Sequence, residues 1–455
     1  MPEHPEDPQD RPEDLNRLRI LQINLNKSER AHLDIINEKV SNNYDIILIQ
    51  EPYSTVFNAI RTPTNFRPIF PIHRLQNQEP IRSVIWVNKM LNTGSWTSLD
   101  IPGTNDITAM QLKGPYGKVS IFNVYNDCTH SRTEVTLRRY IYDHANSILA
   151  SENHHMLLMG DFNRHHPLWD DDKDTHLFTQ QASRAAEGLI GLLATYDLEM
   201  ALPKGIPTLQ HMVTKRYSRP DNVFNTPGLS GLITKCAVDP SIRPTSTDHF
   251  PITTNITLTQ DRVAAQPSHN FREVDWDVFK QKLRTRLNLL PNPPVINTED
   301  QLTEVTNQLT QAIQATIKEN VTKSKPRPDA KRWWNSDLKK MRKELNRLRA
   351  QSYRFRAIAN HPSHEELRSK SNIYGEAIVV AKRQHWIGYL EEMTAADIWT
   401  ANKFIKEPAG DGGCPRIPTL KTRSATGAVT QVNSNEDKAK LFANTFFPPP
   451  APTIS

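Results

Sequence analysis

The sequence predicts a layered α/β domain followed by a mainly α-helical extension, and three observations carry that expectation. From about residue 17 to 258, short apolar runs rich in β-branched residues alternate with amphipathic stretches. Five polar signatures stand at the ends of such runs, in fixed order: QINLN (22–26), QEP (50–52), GDFN (160–163), RPDN (219–222) and STDHFP (246–251). After 258 the strand signals fade and helical periodicity takes over.

The elements follow in chain order. Residues 1–16, acidic and proline-rich, read as a disordered leader without the apolar stretch of a secretory signal. The runs RILQI (19–23), DIILIQ (45–50), VIWV (84–87), VSIFNVY (119–125) and HMLLMG (155–160) read as buried strands. Between them, 29–40, 133–150 and 178–196 space their apolar residues three and four apart, as helices do. Residues 17–258 are therefore expected to form one domain and 259–272 a polar linker. A helical, basic extension should cover 273–405, with helices at 299–320, around 338–355 and at about 364–393, the last two as an antiparallel pair. His361-Pro362 is expected to end the first of that pair, and 406–455 to be a loop-rich tail. A chain of 455 residues is longer than one ordinary domain, which fits this division.

Composition excludes several classes. No run approaches the roughly 20 apolar residues of a membrane-spanning helix. Cys128, Cys236 and Cys414 lie far apart without C-x-x-C spacing, which argues against a zinc site or disulfide framework and for an intracellular setting. The net charge of +6 is unevenly placed: residues 321–360 hold 13 Lys/Arg against 3 Asp/Glu. In that segment Leu338, Met341, Leu345 and Leu348 form one apolar stripe expected to pack on the next helix. Lys339, Lys340, Arg342, Lys343, Arg347 and Arg349 are then left exposed, either as a nucleic-acid contact or as a solvated helix face.

The signatures suit phosphodiester hydrolysis, which needs an activated water, a cation against developing phosphoryl charge, and groups that hold the phosphate. Glu51, directly after IILIQ, is placed to bind a hard cation such as Mg²⁺, which prefers oxygen ligands. Asp161 and Asn163, two apart at a strand end, share a face and can orient water and a phosphoryl oxygen. His249 offers a general base, with Asp221 as a separate acid to fix its imidazole. An isolated strand-end acid is more often a turn former, so the ordered set carries the reading.

At these residues the sequence resembles the endonuclease/exonuclease/phosphatase superfamily, to which deoxyribonuclease I belongs. GDFNRHHPLWD (160–170) resembles more narrowly the endonuclease domain of non-LTR (LINE-type) retrotransposons. The resemblance implies a four-layer α/β sandwich over about 17–258, with Asn24 and Glu51 binding metal and phosphate and Asp248 near the metal. It implies Tyr125 against the scissile phosphate, Asp161 and Asn163 orienting the nucleophilic water and the phosphate, and Asp221 supporting His249. Asn26 stands where repair members of the superfamily carry an acid, and Asn126 receives no role. KRWWNSDLKKMRKELNRLR (331–349) resembles the segment that joins endonuclease to reverse transcriptase in such elements, and the chain is expected to stop before polymerase motifs begin.

The function expected is a Mg²⁺- or Mn²⁺-dependent endonuclease that nicks DNA within a retroelement protein, acting in the nucleus, with element RNA as a further partner and no membrane. The competing readings are a phosphatase or sphingomyelinase, an apurinic-site repair nuclease, and a catalytically dead nucleic-acid-binding remnant.

Overall fold

The structure, a computed structural model, describes residues 16–37, 43–55, 59–63, 65–75, 79–260, 262, 269, 271, 274–290, 296–323, 333–391, 393, 420–423, 429–432 and 435–446. The leader, most of the 259–272 linker and most of the loop-rich tail lie outside them.

The strands in chain order are β1 (Arg17–Asn24), β2 (Ile46–Gln50), β3 (Phe66–Ile69), β4 (Ser83–Asn88), β5 (Trp96–Leu99), β6 (Ile107–Gly114), β7 (Gly117–Tyr125) and β8 (His154–Asp161). They continue with β9 (Glu199–Met200), β10 (Leu209–Gln210), β11 (Tyr217–Ser218), β12 (Asp221–Asn225), β13 (Ile233–Val238) and β14 (Ile252–Thr257). The tail expected to be loop-rich adds an antiparallel pair, β15 (Leu420–Arg423) and β16 (Val429–Val432), and a helix, Asn435–Phe446. One six-stranded sheet runs β13-β14-β1-β2-β4-β3 and a second β5-β6-β7-β8-β12-β9, while β10 and β11 form a separate hairpin.

Both faces of the central strands are buried, which is why these runs are continuously apolar rather than alternating. In β1 and β2, Ile20, Ile46 and Leu48 meet Ile121, Leu157, Met159 and Val223 of the opposite sheet. Their neighbours Leu21, Ile47 and Ile49 point the other way, onto Ala31 and Ile35 of the helix Glu29–Asn37. Phe122, Met156 and Leu158 likewise leave the second sheet to pack on Leu137 and Ile141 of the helix Arg132–Asp143 and on Leu189 and Leu192 of Gln180–Thr195. Three apolar layers thus hold four layers of secondary structure, helix on sheet on sheet on helix. A fully buried aliphatic side chain contributes about 1.5–3 kcal/mol.

Register brings the signatures to one edge of this sandwich. β1 and β2 are parallel with Asn24 opposite Gln50, so Glu51 follows beside Asn24. β7 and β8 are parallel with Tyr125 opposite Asp161, and antiparallel β12 sets Asp221 opposite Asp161 from the other side.

The structure departs from the sequence reading in several local ways. The stretch 133–150 breaks at His144 into Arg132–Asp143 and Ala145–Ile148, with the His144 backbone N–H bonded to Tyr140 O. The basic helix spans Ser336–Arg354 and the next Pro362–Glu391. Pro362 therefore opens the second helix rather than ending the first, a position where its missing N–H costs nothing. The pair is antiparallel: Ser352 Oγ lies 2.7 Å from His364 Nδ1, Lys370 bridges to Glu344, and Leu338 and Leu345 pack with Tyr374 and Ala381. In the helix Glu299–Asn320 the apolar stripe is less covered, since Leu302, Leu309 and Ile313 stay exposed.

Arg349 is a correction. Lys339, Lys340, Lys343 and Arg347 are exposed and Arg342 is half-buried, its guanidinium over the Trp334 ring at 5.6 Å. Arg349, by contrast, is buried, because the second half of this helix turns onto the sandwich instead of facing solvent. Its positive charge acts both on Asp34 and, as a like charge, on Arg243.

Candidate active site

Where the sandwich edge opens, the strand ends leave their ladders through backbone that favours no ordinary side chain. Asn26, Lys27, Glu51, Asn163 and Ser246 all have positive φ, from 45° to 63°. Asparagine tolerates this region, but for Glu51 and Lys27 it is a strained choice, of order 1–3 kcal/mol each. Such strain gathers at functional sites, and here it gathers at the signatures. Gly160 of GDFN has a different reason: at φ +150° an added Cβ would lie 1.9 Å from Val124 O, so only glycine lets β8 lie this close to β7 just before Asp161.

The site is built around His249. Its Nδ1 lies 2.8 Å from Asp221 Oδ2, which also accepts from Thr208 Oγ at 2.7 Å. Nε2 faces the opposite way, 3.9 Å from both Asp161 Oδ2 and Asp248 Oδ1. Asn24 donates from Nδ2 to Asp161 Oδ2 at 2.8 Å, while its Oδ1 accepts from the Asn26 N–H at 2.7 Å. Asn26 in turn donates to Asp248 Oδ1 at 3.2 Å. Asn163 N–H donates to Asp161 Oδ1 at 3.1 Å, and its amide is anchored on Asn126 O at 2.8 Å. Tyr125 hydrogen-bonds to Glu51. All eight residues expected at a chemical centre thus meet at one edge of the sandwich.

Electrostatics follow from carboxylates crowded under a buried rim. Burial, then the charge of Asp221, pushes the Asp161 carboxyl up to about 7, against the opposing pull of His249 and the Asn24 hydrogen bond. For His249 burial disfavours the imidazolium, but the charges of Asp221, Asp161 and Asp248 and the Asp221 hydrogen bond outweigh it, and its pKa rises to about 9. Tyr125 is held well above its usual value, first by burial and then by the charges of Glu51 and Asp161.

Several supporting residues carry no signal in the motifs. Lys27 Nζ lies 3.0 Å from Glu51 Oε1. Arg82, paired with Asp106 at 2.7 Å and Asp127 at 2.6 Å, places its guanidinium 5.0 Å from the Tyr125 ring centroid. Beneath the site a buried polar seam joins the sheets: Gln22 donates to Gly160 O, Gln50 to Asn123 Oδ1, and Asn123 to Ile49 O and Val84 O. Polar residues breaking otherwise apolar strands were the available clue to it. Asn126 is structural, bonded to Glu134 and Phe162 O. The rest of GDFNRHHPLWD also serves the loop: Arg164 pairs with buried Glu134, and the Trp169 indole donates to Arg164 O. Arg219 of RPDN is buried and donates to Trp169 O, Leu202 O and Pro203 O, which ties the strand to its neighbours.

Paired six-stranded sheets flanked by helices, with carboxylates, amides and a histidine gathered at one edge, form an α/β sandwich of the DNase I-like fold class. Residues 119–253 match the family described as "Endonuclease-reverse transcriptase". Among solved structures, the endonuclease domain of TRAS1, a telomere-specific non-LTR retrotransposon, is similar at 20% identity and a TM-score of 0.42, covering 53% of this chain and 99% of that one. The AP endonuclease LMAP from Leishmania major is similar at 10% identity and a TM-score of 0.43, covering 53% and 88%. The 3'-5' exonuclease NExo from Neisseria meningitidis is similar at 14% identity and a TM-score of 0.39, covering 52% and 99%. No curated protein matches the chain. Among the described residues, no helix is long and apolar enough to cross a membrane.

Proposed function

We propose that the chain is a divalent-cation-dependent endonuclease that nicks DNA as part of a retroelement protein. The carrying observation is His249, fixed at Nδ1 by Asp221 and turned at Nε2 toward Asp161 and Asp248.

A divalent cation fits the residues present. Asp161, Asp221 and His249 offer ligand atoms within 4.8 Å of one another. Asp221 Oδ2 is already taken by His249 and Thr208, so the oxygens of Glu51, Asp248 and Asn24 are the better ligand set. That set is oxygen-only, which favours Mg²⁺ or Mn²⁺ over softer ions. Among the described residues Glu51 is ion-paired with the Lys27 ammonium, a charge that a metal would share. When bound, the cation would neutralise charge on the phosphoryl oxygens.

The chain's own groups divide the remaining work. Asp161, with a carboxyl near neutrality and a lone pair held by Asn24, accepts the proton of the attacking water. Asn163 and Asn24 fix the orientation of that carboxylate. His249, whose pKa rises because the charges of Asp221, Asp161 and Asp248 outweigh burial, acts as the donor that steadies the phosphate. Tyr125, kept protonated, donates toward the same phosphate.

The exposed Lys339, Lys340, Lys343 and Arg347 are the candidate contacts for the flanking nucleic acid, DNA or element RNA. Turnover on three substrates tests the class. An intact supercoiled plasmid should be cut faster than an abasic-site duplex, and a small phosphate monoester should be left alone. A preference for the abasic duplex or the monoester would move the protein to repair or phosphatase chemistry.

A further inference from the structure

The basic helix does more than lie beside the sandwich. Its last turns reach the segment between β13 and β14 that carries Asp248 and His249. The Tyr353 ring meets Phe250, the residue after His249, edge-on at 4.8 Å, and its hydroxyl donates to Pro207 O at 2.9 Å. Phe250 is stacked on Tyr217 of β11 on another side, and the Arg243 guanidinium lies 4.2 Å from its centroid. Arg243 also donates to Thr247 O at 2.9 Å and to Gln210 Oε1 at 3.2 Å. The backbone joins the same parts: Phe250 N–H donates to Thr208 O and Gln210 N–H to Asp248 O.

At the other end of the segment, Asp34 accepts from Thr245 N–H at 2.8 Å and from Thr245 Oγ at 2.5 Å. The Asp34 carboxyl is buried, and the positive charges that favour its ionised form are Arg349 and Arg342 of the basic helix. The Tyr353 contacts from this helix therefore brace the Phe250 end of Thr245–Phe250. A solvated helix face would need neither a buried arginine nor a tyrosine inserted among Phe250, Tyr217 and Pro207.

We propose that the basic helix is a working part of the nuclease, with Tyr353 as a positioning residue that clamps the segment Thr245–Phe250 and so holds Asp248 and His249 against Asp161 and Asp221. The inference rests on the nuclease reading for its effect on rate, but not for the clamp itself. Tyr353 touches no reacting atom; it acts through Phe250 and Pro207.

The test uses the full chain with Tyr353→Phe and Tyr353→Ala, read by amide hydrogen exchange and by plasmid nicking at varied DNA concentration. Exchange in 245–250 should quicken in Tyr353→Ala, while β7 and β8 stay protected. Tyr353→Phe keeps the ring and should restore protection. Misplacement of a reacting group by about 1 Å costs roughly 10²-fold, so Tyr353→Ala should lose about 10-fold or more in kcat with KM little changed, and Tyr353→Phe should stay within about twofold. Unchanged exchange in Tyr353→Ala would overturn the clamp, whatever the activity. Quickened exchange with an unchanged kcat would overturn its catalytic importance. A wild-type chain that fails to nick would sink the nuclease reading, and exchange would still decide the clamp.

Discussion

His249 Nδ1 sits 2.8 Å from Asp221 Oδ2, which leaves Nε2 as the only ring nitrogen facing Asp161. A ring held this way has a fixed orientation, and the partner acid's charge helps to raise its pKa. Asp221→Asn should therefore reduce nicking strongly although it removes no group that reaches the phosphate. His249→Ala should lose about 10²–10⁴ in rate. Steady-state nicking by folded variants, checked by circular dichroism, measures both; near-normal turnover in either would remove that residue from the account.

Asp161 should show a conflict between activity and stability. Its folded pKa is raised to about 7 from an ordinary value of 3.8, so its contribution to stability is lost as pH rises through that range. Asp161→Asn should melt higher than wild type at pH 8, with the gap closing below about pH 4, and should be nearly inactive. In the wild type, rate should rise with an apparent pKa near 7 and fall above about 9, values that belong to the coupled Asp161–His249 pair. A flat profile between pH 6 and 8 would contradict the proton-accepting role.

Much of this centre was legible because ligands at strand ends need polar residues just where apolar runs stop, and the motifs mark those stops. The layered α/β fold was legible for a related reason, since IILIQ and HMLLMG are apolar on both faces, and its four layers were implied by the family resemblance. Strands such as ITTNIT (252–257) and the two-residue β9 to β11 were not, since their signal is polar or too short to show a period. The seam of Gln22, Gln50 and Asn123 was hidden because single polar residues inside strands gain meaning only when two sheets face each other. Arg349 was misjudged on its charge: a helix that looks basic all round in sequence still buries whichever side its neighbour covers.

His32 gives a pH dependence away from the site. It is buried in the helix Glu29–Asn37, edge-on to Trp86, with Nε2 2.7 Å from Arg61 O. Burial above all lowers its pKa from 6.5 to about 4. The unfolded chain takes up a proton below 6.5 that the folded one refuses until about 4, so stability present above 6.5 is lost as pH falls through that window. The loss is on the order of 3 kcal/mol. Denaturant titrations at pH 7 and pH 4.5 should show a smaller drop for His32→Leu than for wild type; equal drops would discount His32.

Replacing Lys339, Lys340, Lys343 and Arg347 by Gln should weaken binding to nonspecific duplex and flatten its salt dependence, which runs at about −0.9 in log–log slope per phosphate neutralised. Fluorescence anisotropy across salt concentrations reads the slope. An unchanged slope would make this surface a solvated helix face and nothing more.

The most direct test of the central claim is conversion of supercoiled plasmid to nicked circle by the purified full chain, with Mg²⁺ or Mn²⁺ and with EDTA, alongside His249→Ala. Nicking with either cation, its loss in EDTA and its loss in the variant are the predicted result. Nicking that persists in EDTA, or a folded, cation-supplied wild type that leaves the plasmid supercoiled, would contradict it.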